Sequence, residues 1–223
     1  MASVTGNSSK EFLKIGGKPI IDWVLEEALA VASRCVIVAS PEKPRLLDYQ
    51  SERVEIAFQL EPVGMGSAVC LEEIYDDVLV LNPDTIYFPS SPLIDFPAML
   101  EQGSFCLAAE VVLSEDVPKY GIIETEGERV TRLWEKPQPE QTTSRLAVAG
   151  RFGMSREVYS FVKTWVRSNP PAGAEQHLTP ILSLALSAEF IGTIRTLKAG
   201  ELRLDCGTPE GYKHACEVVS AAL

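Results

Sequence analysis

Residues 78–85 read Val-Leu-Val-Leu-Asn-Pro-Asp-Thr, a short apolar run that ends close to a carboxylate. Such a run is typical of a strand that is buried on both faces, as in a parallel sheet covered by helices. We expect Asp84 at the carboxyl end of this strand, which is the edge where open α/β sheets bind their ligands. The stretch therefore predicts an α/β fold with a candidate site near Asp84.

Further short apolar strands alternate with helical patterns on both sides of this stretch. The predicted strands cover residues 35–39, 54–58, 105–112, 146–154 and 190–197. The spacing of apolar residues predicts helices over residues 19–29, 68–74, 93–100, 157–167 and 178–188, and a last one from residue 209. A hairpin is predicted around Glu126-Gly127-Glu128. This order predicts a three-layer α/β/α sandwich with a mixed, mainly parallel sheet.

Composition limits the class of protein. The chain has 223 residues, and 46% of them are hydrophobic, which suits one domain with a sizeable core. A net charge of −11 argues against nucleic-acid binding, which requires a basic surface. No apolar stretch reaches the ~20 residues of a membrane-spanning helix, and no secretory signal is evident at the start. The five cysteines are widely spaced without a Cys-x-x-Cys pair, so we expect reduced thiols and a cytoplasmic protein.

Two glycines and two aspartates near predicted strand ends are candidates for ligand binding. Gly64 and Gly66 lie between a strand and a helix, where the absence of Cβ lets backbone approach a ligand. Asp84 ends a buried strand, Asp205 stands just before a Gly turn and a Pro-started helix, and each alone is more often a cap of a turn or helix. If the two carboxylates meet at one cleft, they would suit Mg²⁺, which prefers oxygen ligands.

A fourth candidate segment is Trp134-Glu135-Lys136-Pro137, at the end of the hairpin. A lysine beside a glutamate at a strand end offers a cation for a phosphate and an acceptor for a sugar hydroxyl. A solvated pair of opposite charges would have the same sequence, so residue chemistry alone leaves both interpretations open.

Taken in order, short motifs along nearly the whole chain resemble the sugar-1-phosphate nucleotidyltransferases. The resemblance is greatest to the bacterial UTP–glucose-1-phosphate uridylyltransferases, also called UDP-glucose pyrophosphorylases. The motifs are Lys10-Glu11, Gly17-Lys18-Pro19-Ile20, Gln59 to Val69, Asp84, Tyr120-Gly121, Glu135-Lys136-Pro137, Leu146 to Arg151, Glu175 with Leu178-Thr179, and Asp205-Cys206-Gly207. The Cys-Gly after Asp205 and the Gly150-Arg151 pair favour the uridylyl branch over the thymidylyl branch.

The resemblance implies a Rossmann-like nucleotidyltransferase fold and a role for each matching residue. Gln59 and the backbone at Gly64 would bind the pyrimidine base, and Lys10 would approach the triphosphate. The implied sugar-binding residues are Gly121, Glu135 and Gly150, with Lys136 on the sugar phosphate. The implied metal ligands are Asp84 and Asp205, which would hold Mg²⁺, and the implied catalytic residues are Lys10, Asp84 and Lys136. Arg203 stands where the family often has a basic residue.

The implied reaction forms a UDP-sugar, most closely UDP-glucose, and pyrophosphate from UTP and a sugar 1-phosphate with Mg²⁺. The chain is predicted to be one domain, 1–223, in which residues 1–118 bind the nucleotide and residues 119–223 bind the sugar. We expect small-molecule substrates and neither a nucleic-acid nor a membrane partner. The family often self-associates, so a homo-oligomer is possible.

One part of the family pattern has no clear counterpart. The family begins with a strand and a glycine-rich loop that ends in Gly-x-Gly-Thr-Arg, whereas Met1–Ser9 contains one glycine and no arginine. Three interpretations stay open: a uridylyltransferase with a shortened loop, a catalytically impaired regulatory protein that binds nucleotide sugars, and an N-terminally truncated enzyme. Within the enzyme class, the alternative is a thymidylyl- or other sugar-1-phosphate nucleotidyltransferase.

Overall fold

Strands and helices alternate along the chain in a computed structural model that describes residues 9–171 and 173–222. The strands in this part are β1 Lys14–Ile15, β2 Lys18–Pro19, β3 Cys35–Ala39, β4 Val54–Phe58, β5 Val78–Leu81, β6 Thr85–Phe88, β7 Phe105–Val111, β8 Gly121–Glu126, β9 Arg129–Glu135, β10 Leu146–Met154, β11 Gly192–Thr196 and β12 Leu202–Asp205. The α-helices are α1 Ile20–Val31, α2 Met65–Val69, α3 Phe96–Leu100, α4 Arg156–Ser168, α5 Leu178–Ser187 and α6 Pro209–Ala222. Short 3₁₀ helices cover Lys10–Phe12, Pro44–Tyr49, Pro92–Asp95 and Ser114–Lys119. None of the described helices has both the length and the apolar character needed to span a membrane.

The largest sheet has six strands in the order β5-β10-β7-β11-β9-β8. Within it only β7 and β11 run parallel, and the other neighbours are antiparallel. The first residues of β10 also pair with β8, so β10 lies between β7 and β8 at its start and between β7 and β5 at its end. Three smaller ladders join β3 with β4 in parallel, and β1 with β2 and β6 with β12 in antiparallel.

Helices cover both faces of the six-stranded sheet. Along β7, Phe105 and Leu107 pack into a core with the apolar faces of α4 and α5, whereas Cys106 and Ala108 pack on the other face against α3. Every second side chain of a strand points to the same face, so this alternation requires one helical layer on each side. The predicted α/β class and its three layers are confirmed.

The prediction of a mainly parallel sheet is wrong for the described residues. Parallel neighbours need a long crossover connection, usually a helix, between consecutive strands. Here β8 and β9 are joined by the tight turn of the predicted hairpin, so they are antiparallel. The long strand β10 is also antiparallel to each of its partners, β5, β7 and β8. The predicted helix over 68–74 is also shifted, because α2 begins directly after Gly64 and ends at Val69. The mixed character of the sheet is confirmed.

A buried ion pair ties β11 to the loop before β12. Glu201 binds the Arg195 guanidinium with both carboxylate oxygens, and Arg195 Nε donates to Asp95 Oδ2 at 2.8 Å. The hydrogen bonds that Arg195 donates to Glu201 outweigh the cost of burial and lower the pKa of Glu201 to about 2. Because this folded pKa lies below the ordinary value, the pair stabilises the fold above about pH 4.5, and the contribution is lost as the pH falls towards 2.

Glu201→Gln should therefore reduce the acid sensitivity of the fold. At pH 7 the variant should lose roughly 1–3 kcal/mol of unfolding free energy, since hydrogen bonds to a charged group are removed. Urea unfolding between pH 2 and pH 7 should show a smaller pH dependence for the variant than for the wild type. The exposed Glu140→Gln serves as the control, and an equal pH dependence in all three proteins would contradict the assignment.

Candidate active site

The end of β12 and the turn before β6 bring Asp84 and Asp205 together. Asp205 is paired with Thr85 in the ladder, and the Cys206 amide donates to the Asp84 carbonyl at 2.7 Å. A Cβ placed on Gly207 would lie 3.0 Å from Asp84 Oδ2 and 3.0 Å from Asp205 Oδ1, so the two oxygens are at most about 6 Å apart. The two carboxylates therefore lie close to each other, and a metal ion shared between them stays a prediction.

Lys10 faces the same carboxylates. Its Nζ donates to Asp84 Oδ2 at 2.6 Å. Partial burial lowers the pKa of Lys10, but the hydrogen bond to Asp84 and the charges of Asp84, Glu11 and Asp205 together raise it above the ordinary value. Lys10 is therefore a fixed cation at neutral pH, placed beside two anions.

The donors at this point fit Mg²⁺ better than a transition metal. In residues 9–171 and 173–222 no group of three or more His, Cys, Asp and Glu side chains is arranged to hold a metal ion. Mg²⁺ is commonly bound by one or two carboxylates, and waters and substrate phosphates complete its shell. Burial also raises the pKa of the neighbouring Cys206 to about 12, so its thiol is protonated at neutral pH.

The predicted sugar-binding residues Gly121 and Glu135 are direct partners in the β8–β9 hairpin. A Cβ on Gly121 would lie 2.9 Å from Thr179 Oγ1, so glycine is required where β8 approaches the start of α5. His177, just before α5, places Nδ1 3.6 Å from Glu135 Oε1. The side chain of Glu135 is 19% exposed.

Lys136 has an unusual backbone conformation. Its φ is +47°, in the left-handed region that residues other than glycine rarely adopt, and its amide donates to the Tyr120 carbonyl at 3.0 Å. Such conformations cost roughly 1–3 kcal/mol and occur preferentially at functional sites. The exposed Lys136 side chain therefore leaves the sheet at an angle that an ordinary strand end would not give it.

Gly150 marks the bend of β10. Its φ is +75°, and the register between β10 and β7 shifts between Val148 and Phe152. The Asn82 amide donates to the Gly150 carbonyl at 3.0 Å, and a Cβ on Gly150 would lie 3.2 Å from the Asn82 side-chain amide. The bend therefore brings a predicted sugar-binding backbone to the end of β5, two residues from Asp84.

The predicted nucleotide-binding residues Gln59 and Gly64 contact each other, since Gln59 Nε2 donates to the Gly64 carbonyl at 3.2 Å. Gly64 has φ +105°, and a Cβ there would lie 2.6 Å from the backbone N and O of Gln176. The backbone of Gln176 also exchanges hydrogen bonds with Val63 and Gly66, each at 2.8 Å. Glycine at position 64 thus permits a close contact between two backbone segments.

Three further polar residues join these groups and escaped the sequence prediction. Gln176 and His177 connect the Gly64 segment to Glu135. The sequence prediction did not include them, although they lie between the Glu175 and Leu178-Thr179 motifs. Glu110 lies with Oε1 2.5 Å from Arg203 Nε, while Arg203 Nη1 lies 3.4 Å from Asp205 Oδ2. Burial raises the pKa of Glu110, although Arg203 opposes the shift. Glu110 could have been identified from the sequence, because it is an acidic residue in the otherwise apolar β7.

The structure thus connects the predicted residues in groups. Lys10 contacts Asp84 close to Asp205, Gly121 pairs with Glu135 beside Lys136, Gln59 contacts Gly64, and Gly150 adjoins Asn82. The Arg203 guanidinium, 5.2 Å from the centre of the Tyr120 ring, links the carboxylates to the hairpin. Residues 1–8, which hold most of the segment predicted to replace the glycine-rich loop, lie outside the described residues.

Comparison with known proteins identifies similar chains. A family model described as Nucleotidyl transferase matches residues 1–218. The chain is 31% identical over 213 residues to UTP–glucose-1-phosphate uridylyltransferase YngB of Bacillus subtilis, covering 78% of this chain and 70% of that protein. It is 26% identical over 212 residues to the bifunctional protein GlmU of Methanococcus maripaludis (strain C5), covering 92% of this chain but 48% of GlmU. A crystal structure of UDP-glucose pyrophosphorylase complexed with UDP-glucose superposes with a TM-score of 0.80 at 25% identity, covering 96% of this chain and 91% of that one.

Proposed function

The chain belongs to the nucleotidyl transferase family, as a sugar-1-phosphate nucleotidyltransferase close to the UDP-glucose pyrophosphorylases, and from that premise we propose that it forms UDP-glucose and pyrophosphate from UTP and glucose 1-phosphate. The observation that carries the proposal is the convergence of Asp84 and Asp205 beside Lys10. Two acidic ligands with a fixed cation suit a substrate that brings several phosphates and a divalent cation. The similarity to YngB supports UTP and glucose 1-phosphate as the substrates.

The proposed reaction is an attack by a phosphate oxygen of glucose 1-phosphate on the α-phosphorus of UTP. The new P–O bond forms as the bond to the β-phosphate oxygen breaks, and pyrophosphate leaves with that electron pair. This transfer needs positioning and charge neutralisation rather than a protein nucleophile. The protonated, buried Cys206 thiol is consistent with such a mechanism.

The carboxylates and lysines would neutralise charge where it develops. Asp84 and Asp205 would hold Mg²⁺, which would bind phosphate oxygens of UTP and stabilise their negative charge. Lys10, a cation beside Asp84, would approach the triphosphate. Lys136 would bind the phosphate of the sugar, at the angle that its left-handed backbone gives to the side chain.

The remaining predicted residues would select the substrates. Glu135 would accept hydrogen bonds from sugar hydroxyls, with the backbone at Gly121 and Gly150 on either side. Gln59 and the backbone at Gly64 would bind the edge of the uracil ring. We propose one domain in which residues 1–118 hold the nucleotide and residues 119–223 hold the sugar, and the pairing of β6 with β12 supports it by joining the two halves beside Asp84 and Asp205.

The test is release of pyrophosphate from UTP and glucose 1-phosphate in the presence of Mg²⁺. We expect turnover that depends on both substrates and is abolished by EDTA. A panel of UTP and dTTP with glucose 1-phosphate and N-acetylglucosamine 1-phosphate separates this activity from that of a thymidylyl- or other nucleotidyltransferase. A higher kcat/KM for any other pair would replace the proposed substrates.

Calorimetry with UDP-glucose separates the enzyme from a binding protein. Binding of UDP-glucose without turnover for any pair in the panel would favour the catalytically impaired regulatory protein. Absence of both binding and turnover would contradict both proposals for this substrate.

A further inference from the structure

Arg151 is completely buried, and within residues 9–171 and 173–222 it forms an ion pair with one carboxylate, that of Glu27. Its Nε and Nη2 donate to the two oxygens of Glu27 at 2.7 and 2.6 Å, which is a bidentate pair. The side chain of Arg151 is 0% exposed and that of Glu27 is 10% exposed. Glu27 lies on α1 and also accepts a hydrogen bond from the Ser91 hydroxyl. Burying such a pair requires that the remaining N–H groups of the guanidinium find acceptors as well.

Those remaining N–H groups bind backbone carbonyls on both sides of Asp84. Nη2 donates to the Thr85 carbonyl at 2.8 Å, and Nη1 donates to the Asn82 carbonyl at 3.3 Å. Nη1 also donates to the Gly150 carbonyl at 2.9 Å. One rigid guanidinium thus contacts the turn that carries a proposed metal ligand and the bend that carries a proposed sugar-binding backbone.

The position of Arg151 in the fold explains why these contacts matter. The turn at residues 82–84 connects β5, which belongs to the six-stranded sheet, to β6, which belongs to the separate β6–β12 ladder. Asp84 and Asp205 lie at the end of that ladder, whereas Gly150 belongs to the larger sheet. Among the described contacts of Arg151, those to Asn82, Gly150 and Thr85 span this junction, and the guanidinium also lies 4.9 Å from the centre of the Tyr87 ring on β6.

We infer that Arg151, neutralised by Glu27, is a positioning residue that fixes Asp84 relative to Gly150. It does not touch the substrates, and it acts by holding the metal-binding half of the site at the correct distance from the sugar-binding half. The five donors of arginine lie in one plane with fixed directions, which lysine cannot reproduce. The catalytic part of this inference rests on the proposed function, whereas the geometric part does not.

Arg151→Lys tests both parts. It should lower kcat about 10²-fold, because a displacement of about 1 Å within a preorganised site has an effect of that size. The KM for UTP should change less than kcat does, since Gln59 and Gly64, which would bind the base, have no described hydrogen bond with Arg151. Hydrogen exchange followed by NMR should speed up at the amides of Asn82 and Cys206, which bind the Gly150 and Asp84 carbonyls, by about tenfold or more.

Arg195→Lys is the matched control. Arg195 is likewise buried and paired with carboxylates, but it binds Glu201 and Asp95 at the opposite end of β12. The Arg195→Lys variant should be less stable than the wild type but should keep the wild-type kcat and the wild-type exchange rates of the Asn82 and Cys206 amides. Equal effects of both variants on kcat would overturn the inference, because they would indicate a general loss of stability.

Two outcomes keep the inference separate from the proposed function. If the wild-type protein shows no turnover, the proposed function fails, and faster exchange at Asn82 and Cys206 in Arg151→Lys still supports the inference. Unchanged exchange at both amides overturns the inference whatever the activity.

If Arg151→Lys shows no cooperative melting transition, Glu27→Gln takes its place, because it keeps the guanidinium and removes one charge of the pair. It should give the same direction of change in exchange, and no change would overturn the inference.

Discussion

Asparagine in place of Asp84 should lower kcat about 10³-fold and leave the fold intact. The substitution removes one of two carboxylates that converge at Gly207, and it removes the negative charge that Lys10 faces. A neutral amide oxygen binds a divalent cation more weakly than a carboxylate does, so less charge on the triphosphate is neutralised when the reaction proceeds. The loss should therefore fall on kcat and on the Mg²⁺ concentration required for half-maximal activity.

The fold should tolerate this change because the ion pair is partly exposed. The side chains of Asp84 and Lys10 are 24% and 41% exposed. Exposed pairs of this type contribute only about 0–1 kcal/mol to stability. We expect the melting temperature of Asp84→Asn to remain within a few degrees of the wild type, so that the lost activity cannot be attributed to unfolding.

Metal binding can be measured separately from turnover. Titration with Mn²⁺, followed by electron paramagnetic resonance in the presence of UTP, should show at least about tenfold weaker binding in Asp84→Asn. Asp95→Asn is the control, since Asp95 is also partly exposed and paired with cations, Arg195 and Lys198. More than a tenth of the wild-type kcat at saturating Mg²⁺ in Asp84→Asn would contradict the role of this carboxylate.

Much of the fold is encoded in short-range sequence pattern. The apolar, β-branched runs at 35–39, 54–58 and 78–81 predict strands with the bounds that β3, β4 and β5 have. The strands β6 and β12 lack such an apolar, β-branched run of their own, and each gains its hydrogen bonds from a partner far along the chain. Strand direction is likewise set by the connections, which local pattern does not specify.

The candidate site, like the fold, can be predicted only in part from the sequence. Asp84 can be recognised as a carboxylate at the end of an apolar strand, and Asp205 as one before a Gly turn and a Pro-started helix. Their convergence depends on the long-range β6–β12 ladder. Gln176 contacts the Gly64 segment through its backbone, and a backbone contact leaves no signature in residue type. The left-handed conformation of Lys136 is also invisible in sequence, because lysine rarely adopts it and glycine or asparagine would be expected there.

Lys136 offers the second large effect, since its charge and its backbone conformation can be tested separately. Lys136→Met should lower kcat/KM for glucose 1-phosphate about 10²–10³-fold, because a cation that stabilises phosphate charge is lost. The backbone strain stays in this variant, so its stability should match that of the wild type. The measurement is steady-state kinetics with glucose 1-phosphate varied at saturating UTP, together with thermal unfolding.

Lys136→Gly should lose the same activity yet become more stable. Glycine adopts φ +47° without steric cost, and relief of the strain should outweigh its greater unfolded-state entropy by roughly 0.5–1 kcal/mol. The strain at this position would then be kept by the fold because it aims the amine of Lys136, not because it contributes to stability.

Glu189→Gly provides the matched control for that interpretation. Glu189 is the other residue besides glycine with positive φ in the described part of the chain, at +67°, and it follows the end of α5 away from the predicted site residues. It should gain a similar free energy of unfolding and keep full kcat. A loss of stability in Lys136→Gly alone would mean that the lysine side chain stabilises the turn. Retained activity in both Lys136 variants would remove this residue from the proposed mechanism.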